Sequence, residues 1–318
     1  MSTMTMASRV EEYLAYRRAL GYQIRAEAQM RQSFARYADD TGHDGPLTTE
    51  LALRWARLPE RSARLYQARR LEVVRTLARY LEPREPGTEI PPRGLLGPAH
   101  ARGPAFLYAE SDIAALIGAA RSLAPAGGLR PQTYATLIGL LACTGLRITE
   151  ALTLRADDLD LNAGVLTVRR TKFRKSRLVP LHASVVAPLR SYAAQRDRVC
   201  GRKPDMTFFA SVAGCRLPYT TVRHTFLRLL RHAMPEAAPV GRVRPRLHDL
   251  RHTFTCRRLL AWYRDGVDVD RAIDHLSAYL GHAKVSDTYW YLTGVPELLA
   301  LAGRRFEQSA ASDRGGAP

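Results

Sequence analysis

The C-terminal two-thirds of the sequence carries arginine, histidine and tyrosine residues where helices are expected to begin or end. Gly145 interrupts a helical pattern two residues before Arg147, which places the arginine in the first turn of a new helix, near free backbone N–H groups. His248 and Arg251 lie one helical turn apart and so share a face. A guanidinium offers paired donors to a phosphate, an imidazole exchanges protons near neutral pH, and a tyrosine can act as a nucleophile. The residues that could handle a phosphate are therefore Arg147, His248, Arg251, His282 and Tyr291.

Each of these residues also has a purely structural explanation. Arg147 could form an i,i+3 ion pair with Glu150, and Tyr291 could be a core residue of an aromatic cluster. His248 and His252 have the i,i+4 spacing of two metal ligands, but the glutamate of a metalloprotease helix is missing between them, so no metal site is predicted. Taken singly, none of these residues identifies a function.

Their order and context are specific, and together they resemble the tyrosine recombinases, also called phage integrases. The resemblance covers most of residues 105–295 and implies the known catalytic fold of that family. Its motifs are Thr-Gly-Leu-Arg-x-x-Glu at Thr144 to Glu150, Arg-Leu-Val-Pro-Leu at Arg177 to Leu181, His-Asp-Leu-Arg-His-Thr-Phe at His248 to Phe254, Leu-Gly-His at Leu280 to His282, and the tyrosine at Tyr291.

The resemblance implies that two arginines bind the scissile phosphate. Arg147 and Arg251 would bracket it and stabilise the charge that grows on its nonbridging oxygens, because a planar guanidinium donates two parallel hydrogen bonds. Glu150 is expected to orient Arg147 or a histidine from behind the site.

The same resemblance assigns the histidines and the nucleophile. His248 and His282 would donate hydrogen bonds to the phosphate, and His248 is also a candidate acceptor for the tyrosine proton. Tyr291 would attack phosphorus, helped by the adjacent positive charges because a free tyrosine has a pKa of about 10. Spacing from the Leu-Gly-His motif favours Tyr291 over Tyr289, which is predicted to be a packing residue.

A β-hairpin with a basic tip is predicted between Leu159 and Leu181. Lys172 matches the family's general-acid lysine, which would protonate the leaving 5'-oxygen, and Lys175 is the nearby alternative. The chain has only four lysines among 48 basic residues, which supports a specific use of lysine here. A solvated basic turn that touches the DNA backbone is the competing interpretation. The predicted DNA contacts are Arg174, Lys175 and Arg177.

The composition fits a partner with many negative charges. The formal net charge is +18 at pH 7, and a surface of this charge attracts polyanions, most commonly nucleic acid. The four cysteines are widely separated, which argues against a disulfide framework or a zinc knuckle. The N-terminus has no hydrophobic signal segment, and the longest apolar stretch, 134–146, is shorter than the roughly 20 residues that a membrane span needs. We therefore expect a cytoplasmic, nucleoid-associated protein with no membrane partner.

The expected fold is mainly α with a small β-sheet (α+β), divided into a helical N-terminal domain and a catalytic domain. Helical spacing of apolar residues predicts about four helices, and a stretch rich in proline and glycine follows them. The resemblance implies that the two domains form a C-shaped clamp around DNA. The predicted boundaries are 1–82 for a core-binding, SAM-like DNA-binding domain, 83–104 for a linker, 105–308 for the catalytic domain and 309–318 for a disordered tail.

The implied activity is site-specific recombination of double-stranded DNA. Strands would be cut and rejoined through a 3'-phosphotyrosine, with no metal, ATP or other cofactor, in integration or transposition by a mobile element. Four protomers would act on two DNA sites, and sister recombinases or accessory factors are further candidate partners. Apolar residues in 296–306 are expected either to dock on a neighbour or to cover the core.

Two alternatives remain open at this point. A type IB topoisomerase uses the same chemistry, although the Leu-Gly-His spacing and the small helical N-terminal domain argue against it. A DNA-binding accessory factor that has lost catalysis is the alternative from another class.

Overall fold

The computed structural model describes residues 5–22, 24–58, 60, 62–100, 105–169, 176–201, 203, 205–237, 244–282 and 284–293. The chain divides into two compact units, Met1–Gly103 and Pro104–Pro318. Most of the described residues are helical, with one small sheet, so the predicted fold class is confirmed.

The described residues of the first unit form four helices, and the sequence predicted about four. Threonines cap two of them: Thr5 Oγ1 accepts from Ser8 N at 3.2 Å, and Thr48 Oγ1 accepts from Leu51 N at 3.2 Å. Their apolar faces meet in a core in which Phe34 packs edge-on against a buried tryptophan. The helices are α1 (Met6–Ala19), α2 (Arg25–Asp40), α3 (Thr49–Arg57) and α4 (Arg64–Leu81).

The segment that the sequence marked as a linker packs against this first unit over residues 83–100. Its backbone N–H at Glu89 donates to Leu47 O at 2.8 Å, and the Arg75 side chain donates to Pro91 O at 2.8 Å. The segment contains no helix, as its prolines and glycines require, but it is anchored by these hydrogen bonds. The first compact unit accordingly runs to Gly103, past the predicted domain end at residue 82.

The second unit surrounds a larger apolar core built mainly from α6, α8 and α9. Beyond the short 3₁₀ turn Ala156–Asp158, the chain forms the sheet and then returns to helices. The helices are α5 (Glu110–Arg121), α6 (Leu129–Thr144), α7 (Ile148–Thr153), α8 (Ala183–Cys200), α9 (Tyr219–Ala233), α10 (Asp249–Arg264), α11 (Val269–Leu280) and α12 (Ser286–Thr293).

The predicted hairpin is present and carries one more strand than expected. Strand β2 (Val165–Val168) pairs antiparallel with both β1 (Leu159–Asp160) and β3 (Arg177–Pro180). Alternate residues of β2 are buried, as the period of two in the sequence requires. The register places Val168 opposite Arg177, which is the first residue of β3.

Helices α10, α11 and α12 enclose a separate small core beside the main one. Cys256, Leu259, Leu280 and Tyr291 are buried in it. Because α12 packs on both α10 and α11, residues from all three helices come together at the end of α11.

Several expectations fall outside the described residues. These are the hairpin tip with Lys172, Arg174 and Lys175, the helix and docking segment proposed for 296–306, and the tail 309–318. In the part of the chain that is described, no helix is both long and apolar enough to cross a membrane.

Candidate active site

The turn between α6 and α7 fixes the backbone at Arg147. Gly145 ends α6 in the left-handed conformation, with φ of 62°. A Cβ at this glycine would lie 2.5 Å from Cδ1 of Phe254 on α10, so no side chain fits there. The chain then leaves α6 sharply and places Arg147 at the N-cap of α7, immediately before the first turn in which the sequence predicted it.

A buried carboxylate, Glu150, holds the arginine from behind. One oxygen accepts from Arg147 N at 3.0 Å and the other from Arg147 Nη1 at 2.9 Å. The same carboxylate takes two hydrogen bonds from Arg177, at 2.8 and 3.2 Å. Burial by itself raises the pKa of Glu150, but the hydrogen bonds and charges of Arg177 and Arg147 outweigh it and hold the pKa below its ordinary value. Glu150 is therefore ionised at neutral pH, and it hydrogen-bonds Arg147, one of the residues that it was predicted to orient.

Arg177 is the residue whose placement differs most from expectation. It was predicted to contact DNA, but its side chain is only 11% exposed and points inward. Besides its two bonds to Glu150, its Nε donates to Tyr279 O at 2.6 Å. Its donors are used within the protein, because the strand β3 that carries it lies against α11. The geometry gives Arg177 the role of holding Glu150 and the end of α11 together.

The C-terminal carbonyls of α11 gather three arginines. Arg147 Nη2 donates to Gly281 O at 3.1 Å and Arg251 Nη2 to Leu280 O at 2.8 Å, while Arg177 binds Tyr279 O. The last carbonyls of a helix have no partner within it and carry the negative end of the helix dipole, so cations are favoured there. This helix end is what brings three guanidiniums from distant segments into one place.

Arg251 projects from α10 into the same cluster. It is almost fully buried, and its Nη1 also donates to Gly145 O at 2.8 Å. Burial, and next the charge of Arg147, lower the pKa of Arg251 to about 10, so it stays protonated at neutral pH. The buried Arg251 and the partly exposed Arg147 therefore bring two cationic side chains to the same helix end, a setting that favours binding of an anion.

His248 stands at the first position before α10. Burial and then the charge of Arg251 lower its pKa, so the ring is neutral at pH 7 and can accept a proton. The turn that carries it is held by the fully buried Asp249, which accepts from Arg246 N at 2.8 Å and Arg246 Nη2 at 2.9 Å. The i,i+3 spacing of Arg246 and Asp249 is visible in the sequence, but the pair was not among the predicted site residues.

His282 follows Gly281, which ends α11 in the left-handed conformation at φ 68°. Its Nδ1 lies 2.7 Å from Oγ1 of Thr288, and its ring stacks on that of Tyr291 with centroids 6.1 Å apart. Burial, followed by the charges of Arg251 and Arg147, lowers the pKa of His282 to about 4. The ring is neutral at pH 7, which makes it a hydrogen-bond donor or acceptor and not a cation.

Tyr291 is 4% exposed and lies against the arginine cluster. Burial raises its pKa, while the charge of Arg251 and hydrogen bonds with Arg251 and Thr255 act in the opposite direction. Tyr289, which was predicted to be a packing residue, is 41% exposed, because residues two apart on a helix point in different directions. Of the two tyrosines, Tyr291 is the one that the structure brings to the arginines.

Three predicted residues of the hairpin tip are not among the described residues. Lys172, the predicted general acid, lies outside the described residues together with Arg174 and Lys175, so their positions relative to Tyr291 stay predictions. The described base of the hairpin reaches the site through Arg177. Among the described residues, no group of histidine, cysteine, aspartate or glutamate side chains is arranged to hold a metal ion.

Helix α9 carries a basic surface that was not among the predicted DNA contacts. One face is buried in the main core, and the opposite face exposes the basic residues Arg223, His224, Arg228, Arg231 and His232. The signal was available, since the apolar residues recur at helical spacing and the basic ones fall between them.

Comparisons with known proteins agree with one another. The model of the phage integrase family matches residues 108–295. A protein of Sinorhizobium fredii (strain NBRC 101917 / NGR234) named as an integrase/recombinase, y4rB, is 43% identical over 314 residues, which cover 97% of this chain and 98% of the relative. Tyrosine recombinase XerD of Rhizobium meliloti (strain 1021) is 32% identical over 237 residues, covering 73% of this chain and 71% of the relative.

Two solved structures share the fold. The Tn1549 transposon integrase in complex with transposon right end DNA has a TM-score of 0.70 and 15% identity, and the match covers 96% of this chain and 100% of that one. The XerH site-specific recombinase bound to palindromic difH substrate has a TM-score of 0.65 and 17% identity, covering 95% of this chain and 85% of that one.

Proposed function

The chain belongs to the phage integrase family, and from this premise we propose that Arg147, His248, Arg251, His282 and Tyr291 form the active site of a site-specific DNA recombinase. The observation that carries the assignment is the convergence of these residues at the C-terminal end of α11. They come from α7, α10, the end of α11 and α12, and hydrogen bonds hold both arginines in place, buried ones at Arg251 and partly buried ones at Arg147.

Strand cleavage begins with the phosphate bound between Arg147 and Arg251. Their guanidiniums neutralise the charge that develops on the nonbridging oxygens as the tyrosine oxygen attacks phosphorus. His282 donates a further hydrogen bond to the phosphate. Because the arginines are pre-positioned by Glu150 and by the carbonyls of α11, little reorganisation is needed when the transition state forms.

Tyr291 is the nucleophile, and its proton must leave during the attack. Its raised pKa means that it is protonated at neutral pH, so a base is required. His248, with its lowered pKa, is neutral and can accept that proton. The bond between phosphorus and the 5'-oxygen breaks as the bond to the tyrosine oxygen forms, and Lys172 supplies a proton to the leaving 5'-oxygen. The resulting 3'-phosphotyrosine keeps the energy of the broken bond.

Rejoining reverses these steps with a 5'-hydroxyl from a partner strand. A homotetramer on two double-stranded DNA sites provides that partner strand, with sister recombinases or accessory factors as further candidates. The helical first unit, residues 1–82 with the packed segment that follows, and the catalytic unit, residues 105–308, both bind DNA. The basic face of α9 and the hairpin tip, Arg174 and Lys175, contact DNA. The chain acts in the cytoplasm, on the nucleoid, in the movement or integration of a DNA element.

The alternatives are disfavoured for physical reasons. A DNA-binding accessory factor has no need of a neutral histidine stacked on a buried tyrosine beside the buried Arg251 and the partly exposed Arg147. A type IB topoisomerase shares the chemistry, but the relatives that resemble this chain over most of its length are named as recombinases.

Covalent trapping tests the proposal. A duplex pool with a randomised region is enriched for sequences that the chain binds, and a selected duplex is then nicked at successive positions so that a short strand is lost after cleavage. In the presence of a chelator, wild type and Tyr289→Phe should form a denaturation-resistant protein–DNA adduct, whereas Tyr291→Phe should form none while still binding. Binding without an adduct at any nick position would support the accessory-factor alternative, and an adduct that survives Tyr291→Phe would overturn the assignment of the nucleophile.

A further inference from the structure

The contact between Thr288 and His282 is a buried polar contact that the proposed mechanism has not used. Thr288 is fully buried in the first turn of α12, and its Oγ1 lies 2.7 Å from His282 Nδ1. A hydroxyl in this position can either donate to the ring nitrogen or accept from it. The direction of the hydrogen bond determines which nitrogen of the ring carries the proton.

The ring can hold only one proton at neutral pH. Burial and the neighbouring guanidiniums of Arg251, Arg147 and Arg177 act against a charged imidazole, and Asp287 is the acidic group that acts in its favour. Since Nδ1 is directed at Thr288, Nε2 is the nitrogen available to a phosphate placed among the arginines. A phosphate oxygen only accepts hydrogen bonds, so His282 can bind it only when Nε2 carries the proton.

We propose that Thr288 is a positioning residue that donates its hydroxyl proton to His282 Nδ1 and thereby fixes the tautomer whose Nε2–H binds the scissile phosphate. The inference rests on the proposed function and names a residue on which the bond between His282 and the phosphate depends. The hydroxyl hydrogen of Thr288 can point at Nδ1 because the bond between its oxygen and carbon rotates freely. The burial of Thr288 also excludes water that would compete for the ring of His282.

The same contact also sets the distance between His282 and the nucleophile. Thr288 and Tyr291 are three residues apart on α12 and so lie on neighbouring positions of one face. The ring of His282 is held by the threonine at its Nδ1 edge while its flat face stacks on the ring of Tyr291 at 9° between planes. The hydrogen bond from Thr288 therefore orients His282, which donates to the phosphate, relative to Tyr291, which attacks it.

Three variants of the full-length chain test the proposal in the covalent-trapping assay. Thr288→Val keeps the shape of the side chain but removes the hydroxyl, whereas Thr288→Ser keeps the hydroxyl. Thr133→Val is the matched control, because Thr133 is also buried in the second unit and hydrogen-bonded, to Leu129 O at 2.8 Å, but belongs to the main core. A hydrogen bond of ordinary strength predicts that Thr288→Val slows cleavage about tenfold. Thr288→Ser and Thr133→Val should cleave within about twofold of wild type, and all variants should bind the duplex equally.

A double-mutant cycle separates positioning from a general loss of packing. In a His282→Gln background the threonine has no imidazole to orient, so adding Thr288→Val should change the cleavage rate by less than about twofold. An undiminished tenfold effect in that background, or a Thr288→Val chain that cleaves like wild type, would overturn the proposal. An absence of adduct in wild type itself would instead count against the proposed function.

Nitrogen NMR reads the tautomer directly. The Tyr291→Phe chain, labelled with ¹⁵N at histidine and bound to the selected duplex, should show His282 with a protonated Nε2 and an unprotonated Nδ1, assigned by loss of the signals in His282→Gln. Adding Thr288→Val should mix the two tautomers, and Thr288→Ser should restore the first. Protonated Nδ1 in the Tyr291→Phe complex would show that Thr288 accepts, which contradicts the proposal.

Discussion

Replacing Glu150 with glutamine should loosen the whole arginine cluster. The substitution keeps the size of the side chain but removes the charge, and its amide N–H₂ then faces a guanidinium of Arg147 or Arg177 donor to donor. Breaking a buried ion pair by removing one partner costs about 3–5 kcal/mol. Since the side chain of Arg147 is 31% exposed, part of the cost is relieved by water and about 3 kcal/mol is the appropriate figure. For a unit of this size each kcal/mol shifts Tm by about 2–4 °C, which predicts a decrease of about 6–12 °C.

Thermal unfolding followed by circular dichroism measures this decrease. The control is Asp205→Asn, whose partner Arg155 and own side chain are 58% and 75% exposed, so that Tm should change by no more than about 2 °C. A bound duplex supplies negative charge to Arg147, so it should recover part of the Tm of Glu150→Gln. Cleavage should fall at least about tenfold because Arg147 loses its orientation. A Tm of Glu150→Gln within about 2 °C of wild type would refute the claim that this carboxylate holds the arginines.

Three further predictions follow from the same geometry. Gly145→Ala should destabilise the chain by about 2 kcal/mol or more, since a positive φ and the Phe254 ring both oppose a Cβ. The control Gly127→Ala, at φ 70° with open space around it, should cost only about 1 kcal/mol. Equal urea midpoints for the two variants would contradict this prediction. The pKa of His282 in the folded chain is about 4, below its ordinary 6.5, so the unfolded chain binds more protons between these two values. Stability to urea should therefore fall as the pH decreases from 6.5 to 4, and it should fall less in His282→Gln. Parallel pH profiles of the two chains would argue against the burial of that ring. DNA affinity should fall steeply with salt, and Arg223→Gln on the exposed face of α9 should reduce the slope of log K against log salt by about one; an unchanged slope would remove α9 from the interface.

The residues that touch the reacting phosphate could be predicted from the sequence because their motifs are local. Arg147 follows a glycine that must end a helix, and His248 and Arg251 share one helical face, so residue type and spacing were sufficient to select them. Tyr291 was chosen over Tyr289 by its spacing from Leu-Gly-His, and the structure places it, and not Tyr289, against the arginines.

The groups that support these residues depend on contacts distant in sequence. Arg177 looks like another basic residue of the hairpin, but its acceptors Glu150 and Tyr279 are 27 and 102 residues away, and no periodicity reveals that pairing. The sequence does not distinguish Thr288 from other helix residues, because its contact with His282 depends on the packing of α12 on α11. The proline-rich segment that follows α4 likewise gives no sign in its composition that Glu89 and Pro91 bond back to the first unit.

The central claim is that the oxygen of Tyr291 becomes bonded to phosphorus, and peptide mapping of the trapped adduct tests it most directly. Trypsin releases residues 285–304 as one peptide that contains both Tyr289 and Tyr291. After nuclease digestion, fragmentation in a mass spectrometer should place a nucleotide 3'-phosphate on Tyr291 alone. The same mass on Tyr289, or on a peptide from any other part of the chain, would contradict the account.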